Sequence, residues 1–318
     1  MKHGTQRMEN SDGTTERVYC SDLARQSQAE LEGSAVQVDL WLLLEYPRPW
    51  KPNALTDNDL PAGTRRHLES LPDRVAALSG QRLRVQFVKQ ASSAEVVHPR
   101  VFLADCHGQT RRLVAGTLAT YNEIAELEPA QLVSMSLPQA TVHHEEMYLV
   151  CTNGQRDLCC ARYGLPLFEA LRLEVGSRVW QTTHVGGHRY APNLVCLPSG
   201  VVYGFVDADL GASLVRDHDA GRLAVANLRG TSAYPPLAQA GEFHLRRRLG
   251  LTGFTDCHLV RAEDDSATFA VGDAGVYRVT LRRHVDATQI IASCGAEPKS
   301  VERFELLEIA PGSAAEVG

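Results

Sequence analysis

Hydrophobic positions along this chain fall into short apolar runs separated by polar, proline-bearing or glycine-bearing breaks, the pattern of strands alternating with helices. The run at Val36–Leu44 predicts a strand, and the YPRPWKPNAL segment behind it predicts a turn, because its prolines do not fit a helix interior. Residues 64–80 predict a helix broken at Pro72. Shorter runs at Leu83–Val88, Val101–Ala104 and Arg112–Ala115 predict strands, and the acidic stretch YNEIAELEPAQLVSM predicts a closing helix. This alternation defines an N-terminal α/β domain over residues 17–140.

A second region is expected at residues 145–230. Met147–Cys151 is a compact apolar strand, followed by the polar loop TNGQRD and a helix over about Cys160–Glu174, with Leu165, Phe168, Leu171 and Leu173 near one side. Val179–Thr183 predicts a short strand running into HVGGH. Asn193–Leu197 and Val201–Phe205 flank Pro198-Ser199-Gly200 as a hairpin, and residues 207–226 predict a helix capped by Asp207. This βα–ββα order is the order of a thioredoxin-like domain. Past Tyr234-Pro235-Pro236, a helix at Leu237–Leu249 ends at Gly250, and strands are expected at Cys257–Ala262, Ala267–Val271, Val276–Arg283 and Glu302–Ile309. They make a small α+β region over residues 234–310. The class is therefore α/β (α+β). Residues 1–16 are polar and expected to form a disordered tail, and no internal repeat is visible.

Composition narrows the function classes. Hydrophobic residues make up 44% and charged residues 22%, ordinary for a globular protein. A net charge of −6 argues against a general nucleic-acid binder. Only Lys2, Lys51, Lys89 and Lys299 stand among 32 basic residues, an arginine bias that hints at a high-GC, bacterial coding sequence. The first twenty residues lack the apolar core of a signal peptide, and the longest apolar run is far too short to span a membrane. A reducing cytoplasm is the expected location. There, eight irregularly spaced cysteines point to metal binding or redox chemistry rather than to disulfides.

The sharpest constellation is CTNGQRDLCC at residues 151–160 followed by HVGGH at 184–188. Thiolates suit soft metals and Fe–S clusters, and imidazole suits zinc, copper and iron. Cys151 ends the predicted strand and Cys160 opens the predicted helix, so the loop between them is able to wrap a metal group. Gly186 and Gly187 disfavour a helix by ~2 kcal/mol and predict a turn between His184 and His188. Val185 stands where a zinc-protease helix needs Glu, and the Cys–Cys spacing fits no common zinc finger. His143-His144-Glu145-Glu146, Cys106-His107 and Cys294 are weaker candidates, read first as surface or buried structural residues. Arg156, Arg162 and Arg189 adjoin the constellation and offer positive charge to it. C-x-x-C, Walker, GxSxG and GxGxxG patterns are missing.

VCTNGQRDLCCARYG, THVGGHRYAPNLVCLPSGVVYG and the N-terminal CSDLAR…WLLLEYPRPW resemble the sucrase/ferredoxin-like proteins, over about residues 17–230 and extending to ASCGAEP. The resemblance implies a thioredoxin-like ferredoxin with a bis-histidinyl, non-Rieske [2Fe–2S] cluster. Carried over residue by residue, it makes Cys151, Cys160, His184 and His188 the ligands. Asn153 departs from the histidine often found in relatives, at a position that is not a ligand. Cys159 stands beside the assigned thiolate and leaves the register open by one. "Sucrase" in the family name implies no activity here, as no carboxylate pair supports glycoside hydrolysis.

Two thiolates and two neutral imidazoles would balance the double positive charge of an oxidised cluster, so the expected potential lies above that of a plant-type ferredoxin. The expected role is an electron carrier more than a catalyst, with proton-coupled redox chemistry and a redox partner protein, and with no nucleic acid or membrane. The alternatives are a zinc-stabilised binding module on the same ligands, and a thiol–disulfide oxidoreductase using Cys151 and Cys160.

Overall fold

The computed structural model describes residues 7–9, 15–90, 96–108, 111–285 and 289–312. Helices and strands are mixed throughout, as the sequence pattern predicts. The expected disordered tail falls partly outside the described residues. Within it, β1 (Arg7–Glu9) and β2 (Thr15–Arg17) pair as a short antiparallel ribbon ahead of α1 (Cys20–Gln26).

The dominant feature is one ten-stranded sheet that runs through both of the first two regions. Its N-terminal half follows the path β3 (Leu40–Glu45), α2 (Ala62–Ser79), β4 (Leu83–Lys89), β5 (Arg100–Asp105), β6 (Arg112–Thr117), α3 (Pro129–Val133) and β7 (Thr141–Val142). Its C-terminal half follows β8 (Met147–Cys151), α4 (Leu158–Val175), β9 (Val179–Thr182), β10 (Leu194–Leu197), β11 (Val201–Tyr203), α5 (Ala208–Asp219) and β12 (Leu228–Thr231). In each half the first two strands are parallel, the third is antiparallel to the first, and two further antiparallel strands complete the row. The second strands of the two halves, β4 and β9, pair antiparallel and close the sheet in the order β12-β11-β10-β8-β9-β4-β3-β5-β6-β7. The chain therefore contains a structural repeat that its sequence hides.

Strand alternation sorts the core. In β3, Leu40, Leu42 and Leu44 pack with Leu68, Leu71 and Val75 of α2. In β8, Tyr148 and Val150 pack with Leu167, Phe168 and Leu171 of α4. Trp41, Leu43, Met147 and Leu149 point to the opposite face and share one cluster that joins the halves. Beyond the sheet, α6 (Pro236–Leu249) is buried along most of its length against a second, four-stranded sheet of β13 (His258–Ala262), β14 (Ser266–Val271), β15 (Gly275–Val285) and β16 (Glu302–Pro311).

Several expected boundaries shift for physical reasons. Pro72 does not break α2, because three buried apolar positions outweigh the single backbone bond that proline removes. The α4 face turns by a step from the expected one: Leu165 and Leu173 are exposed, while Gly164, Leu167, Phe168, Leu171 and Val175 are buried. α5 stops at Asp219, just before the left-handed Gly221, rather than at residue 226. The acidic stretch divides into a 3-10 turn at Tyr121–Glu126 and the short α3, separated by extended Leu127.

Candidate metal centre

Cys151 closes the buried strand β8, and its partner across the parallel pair is Thr182, the end of β9. His184 follows two residues later, so two parallel strands deliver a thiol and an imidazole to one end of the sheet. Helix α4 completes that end. Asp157 caps it by accepting a hydrogen bond from Cys159 N–H at 2.9 Å, which places Cys159 and Cys160 in the first helical turn. Gly164 lets the helix come this close: a Cβ there would lie 2.2 Å from the Cys151 carbonyl oxygen. Successive helical residues diverge by about 100°. The neighbouring thiols therefore part company, and only Cys160 turns toward Cys151.

Cys151 Sγ lies 3.9 Å and Cys160 Sγ 3.8 Å from His184 Nδ1. The three side chains form a group able to hold a metal ion. His188 stands one step further out, with Nδ1 3.4 Å from His184 Nε2 and Nε2 3.7 Å from Asp157 Oδ2. A hydrogen bond with Cys160, reinforced by His184, holds the buried Cys151 thiol well below its ordinary pKa, while Cys160 is pushed up by the same bond. A negative charge on this pair would lie at the N-terminal end of a helix, which favours it. Burial lowers the pKa of His188 against the pull of Asp157, which favours the neutral imidazole a metal requires.

HVGGH is a turn, as its glycines predict. Gly186 and Gly187 have φ of +89° and +68°, and a 3-10 turn starts at His188. A Cβ on Gly187 would strike the Arg229 guanidinium at 2.3 Å. That buried guanidinium donates to the carbonyl of Gly186 at 3.1 Å and to Asn193 Oδ1 at 2.8 Å, fixing the turn between the histidines. On the other side, Arg84 Nη2 donates to the carbonyl of His184 at 2.7 Å. Among the described residues, Arg84 Nε is buried without a hydrogen-bond partner.

The residues singled out from the sequence divide accordingly. Arg156 reaches Asn53 Oδ1 at 2.9 Å and lines a groove with His184. Arg162 stacks on Tyr19 with its guanidinium carbon 4.4 Å from the ring centre, and Arg189 bonds the Tyr190 hydroxyl. The guanidiniums that act on Cys151 are Arg84 and Arg229, distant in sequence and unremarkable there. His143 bonds its own loop at the Glu145 carbonyl, and Cys106 is a buried thiol with a raised pKa beside exposed His107. Cys159 lies not with Cys160's partners but 3.5 Å from Cys20 Sγ and 3.2 Å from Cys294 Sγ. The odd spacing of these three residues gave no sign of that meeting.

These features define a mixed α/β protein with cysteine and histidine side chains grouped closely enough to hold a metal ion. The model of the sucrase/ferredoxin-like family matches residues 31–230, well over half of the chain, and the protein belongs to that family. No curated protein and no solved structure matches. No helix among the described residues is long and apolar enough to cross a membrane.

Proposed function

We propose that this protein transfers electrons through a [2Fe–2S] cluster held by Cys151, Cys160, His184 and His188 in a thioredoxin-like half of the sheet. The observation that carries the reading is the meeting of two buried thiols and His184 at the ends of two parallel strands, with His188 against His184. The donor set fits the group, since thiolate and imidazole are both iron ligands. Arg84, half-buried and bonded through Nη2 to the His184 carbonyl, adds positive charge beside it.

A bound cluster would supply one-electron chemistry at a potential raised by the two neutral imidazoles. The protein's own residues set its surroundings. Arg84 and Arg229 place positive charge near Cys151. His184 lines a groove of about 570 Å³ and His188 a separate one of about 450 Å³, so both rings can exchange protons with the surface. Electron uptake that draws a proton to either ring makes the midpoint potential fall with pH, by ~59 mV per unit for one proton per electron. Electrons would come from, and pass to, a partner protein. A bacterial cytoplasm, where thiols stay reduced, suits such a carrier.

One set of distances favours a second reading, a single zinc ion. The His184–thiol separations of 3.9 and 3.8 Å approach the ~3.6 Å expected between N and S ligands of one tetrahedral zinc. The two readings separate on potentials. His184→Cys and His188→Cys should each retain iron and lower the midpoint potential, and the wild-type potential should fall between pH 6 and pH 10. Unchanged potentials in both variants would take the imidazoles off the iron, and a flat pH profile would remove proton coupling.

A further inference from the structure

We propose that Cys20, Cys159 and Cys294 form a second metal site, binding a single zinc ion through three thiolates with Asp157 Oδ1 as the fourth donor. The three Sγ atoms lie 3.5, 3.2 and 3.7 Å apart, and Asp157 Oδ1 is 3.9 Å from Cys20 Sγ. Around a tetrahedral zinc with bonds of ~2.3 Å, sulfurs sit ~3.8 Å apart. Three thiolates all this close to one another fit the ligands of one ion, whereas a [2Fe–2S] core takes only two protein ligands on each iron. The four ligand atoms lie within 4.8 Å of one another, and all four residues are at most 9% exposed.

The surroundings fix the carboxylate beside the three sulfurs. Asp157 is held from both sides: Oδ1 accepts from Cys159 N–H, and Oδ2 accepts from Ser293 Oγ–H and Cys294 N–H, each at 2.9 Å. Oδ1 keeps a lone pair for the ion, in the manner of a ligand fixed by outer hydrogen bonds. Three buried thiols from three remote segments need a shared partner. A disulfide would serve two of them and strand the third.

The site shares no donor with the Cys151 centre, because Cys159 and Cys160 point to different sides of α4. Cys20 and Cys294 both lie outside residues 31–230. The ion therefore ties the start of α1 and the loop before β16 to the first turn of α4. The proposed fourth donor, Asp157, also stands 3.7 Å from His188 Nε2 through Oδ2, so the staple lies directly behind the outermost imidazole of the first centre.

The test is zinc and iron analysis of the purified full-length protein beside the double variant Cys20→Ala/Cys294→Ala. One zinc per chain should be lost in the variant while any iron and visible absorption persist. Equal zinc in the two proteins, or a disulfide between any two of the three cysteines in the native wild type by mass spectrometry, would overturn the site. If the variant does not fold, zinc-edge X-ray absorption of the wild type decides: a shell of three sulfurs and one oxygen supports the proposal, and no such zinc refutes it. Zinc and iron are counted separately, so failure of the iron–sulfur reading leaves this result unaffected.

Discussion

The two halves of the ten-stranded sheet trace the same path, yet they end their first strands on opposite chemistries. β8 ends on Cys151, while β3 ends on Glu45, equally buried, which accepts from Arg100 Nε and Nη2 at 2.8 and 2.9 Å. α4 opens with Leu158-Cys159-Cys160, and α2 opens with Ala62-Gly63-Thr64. One backbone plan thus carries an ion pair at one strand end and soft metal donors at the other. The N-terminal half also reaches across: its loop after β3 meets the cysteine loop, with Asn153 Nδ2 donating to the Lys51 carbonyl at 3.2 Å. The difference teaches that the fold supplies the position, and the side chains at two strand ends and one helix start supply the chemistry.

The largest expected effect breaks the comparison outright. Cys151→Ser or Cys160→Ser should each remove most bound iron and sulfide, read by elemental analysis and the visible spectrum. Cys159→Ser should keep them. Bleaching by Cys159→Ser with retention in Cys160→Ser would move the ligand register by one residue.

A smaller effect sharpens it from the other half. Glu45→Ala removes the carboxylate that Arg100 pairs with and should cost about 1–2 kcal/mol in urea unfolding, since Arg100 is itself 39% exposed. The visible spectrum should be untouched, because Glu45 occupies the strand end that holds no metal donors. A spectral change would mean the halves are coupled through more than the shared sheet.

The smallest effect belongs to neither half. Among the described residues the buried Nε2 of His244 on α6 finds no hydrogen-bond partner, and burial lowers the pKa of this ring from 6.5. The unfolded chain therefore takes up that proton first. Stability should fall as pH drops through about 6.5 and level off below the folded pKa. His244→Gln should flatten this limb of the stability curve by a few tenths to about 1 kcal/mol. An unchanged limb would place its origin elsewhere.

Much of this architecture is legible in the residues. The apolar runs at Leu83–Val88 and Met147–Cys151 read directly as strands, because each is short, buried and bounded by polar breaks. The repeat is not legible. LWLLLE and MYLVC share burial rather than identity, and a repeat held only by topology leaves no periodic signal. The motif residues Cys151, Cys160 and His184 are close in sequence as well as in space, so spacing could nominate them together. Arg84 and Arg229 could not be nominated, since they reach the centre through sheet pairing with no motif of their own. The same holds for Cys20 and Cys294, brought together across nearly the whole chain.

The most direct measurement is an iron, sulfide and zinc count on anaerobically purified protein, with EPR of the dithionite-reduced sample. The account predicts a coloured protein with two irons and two acid-labile sulfides per chain, and a spin-one-half signal on reduction. A colourless protein carrying zinc at Cys151, Cys160 and His184, without sulfide, would contradict it.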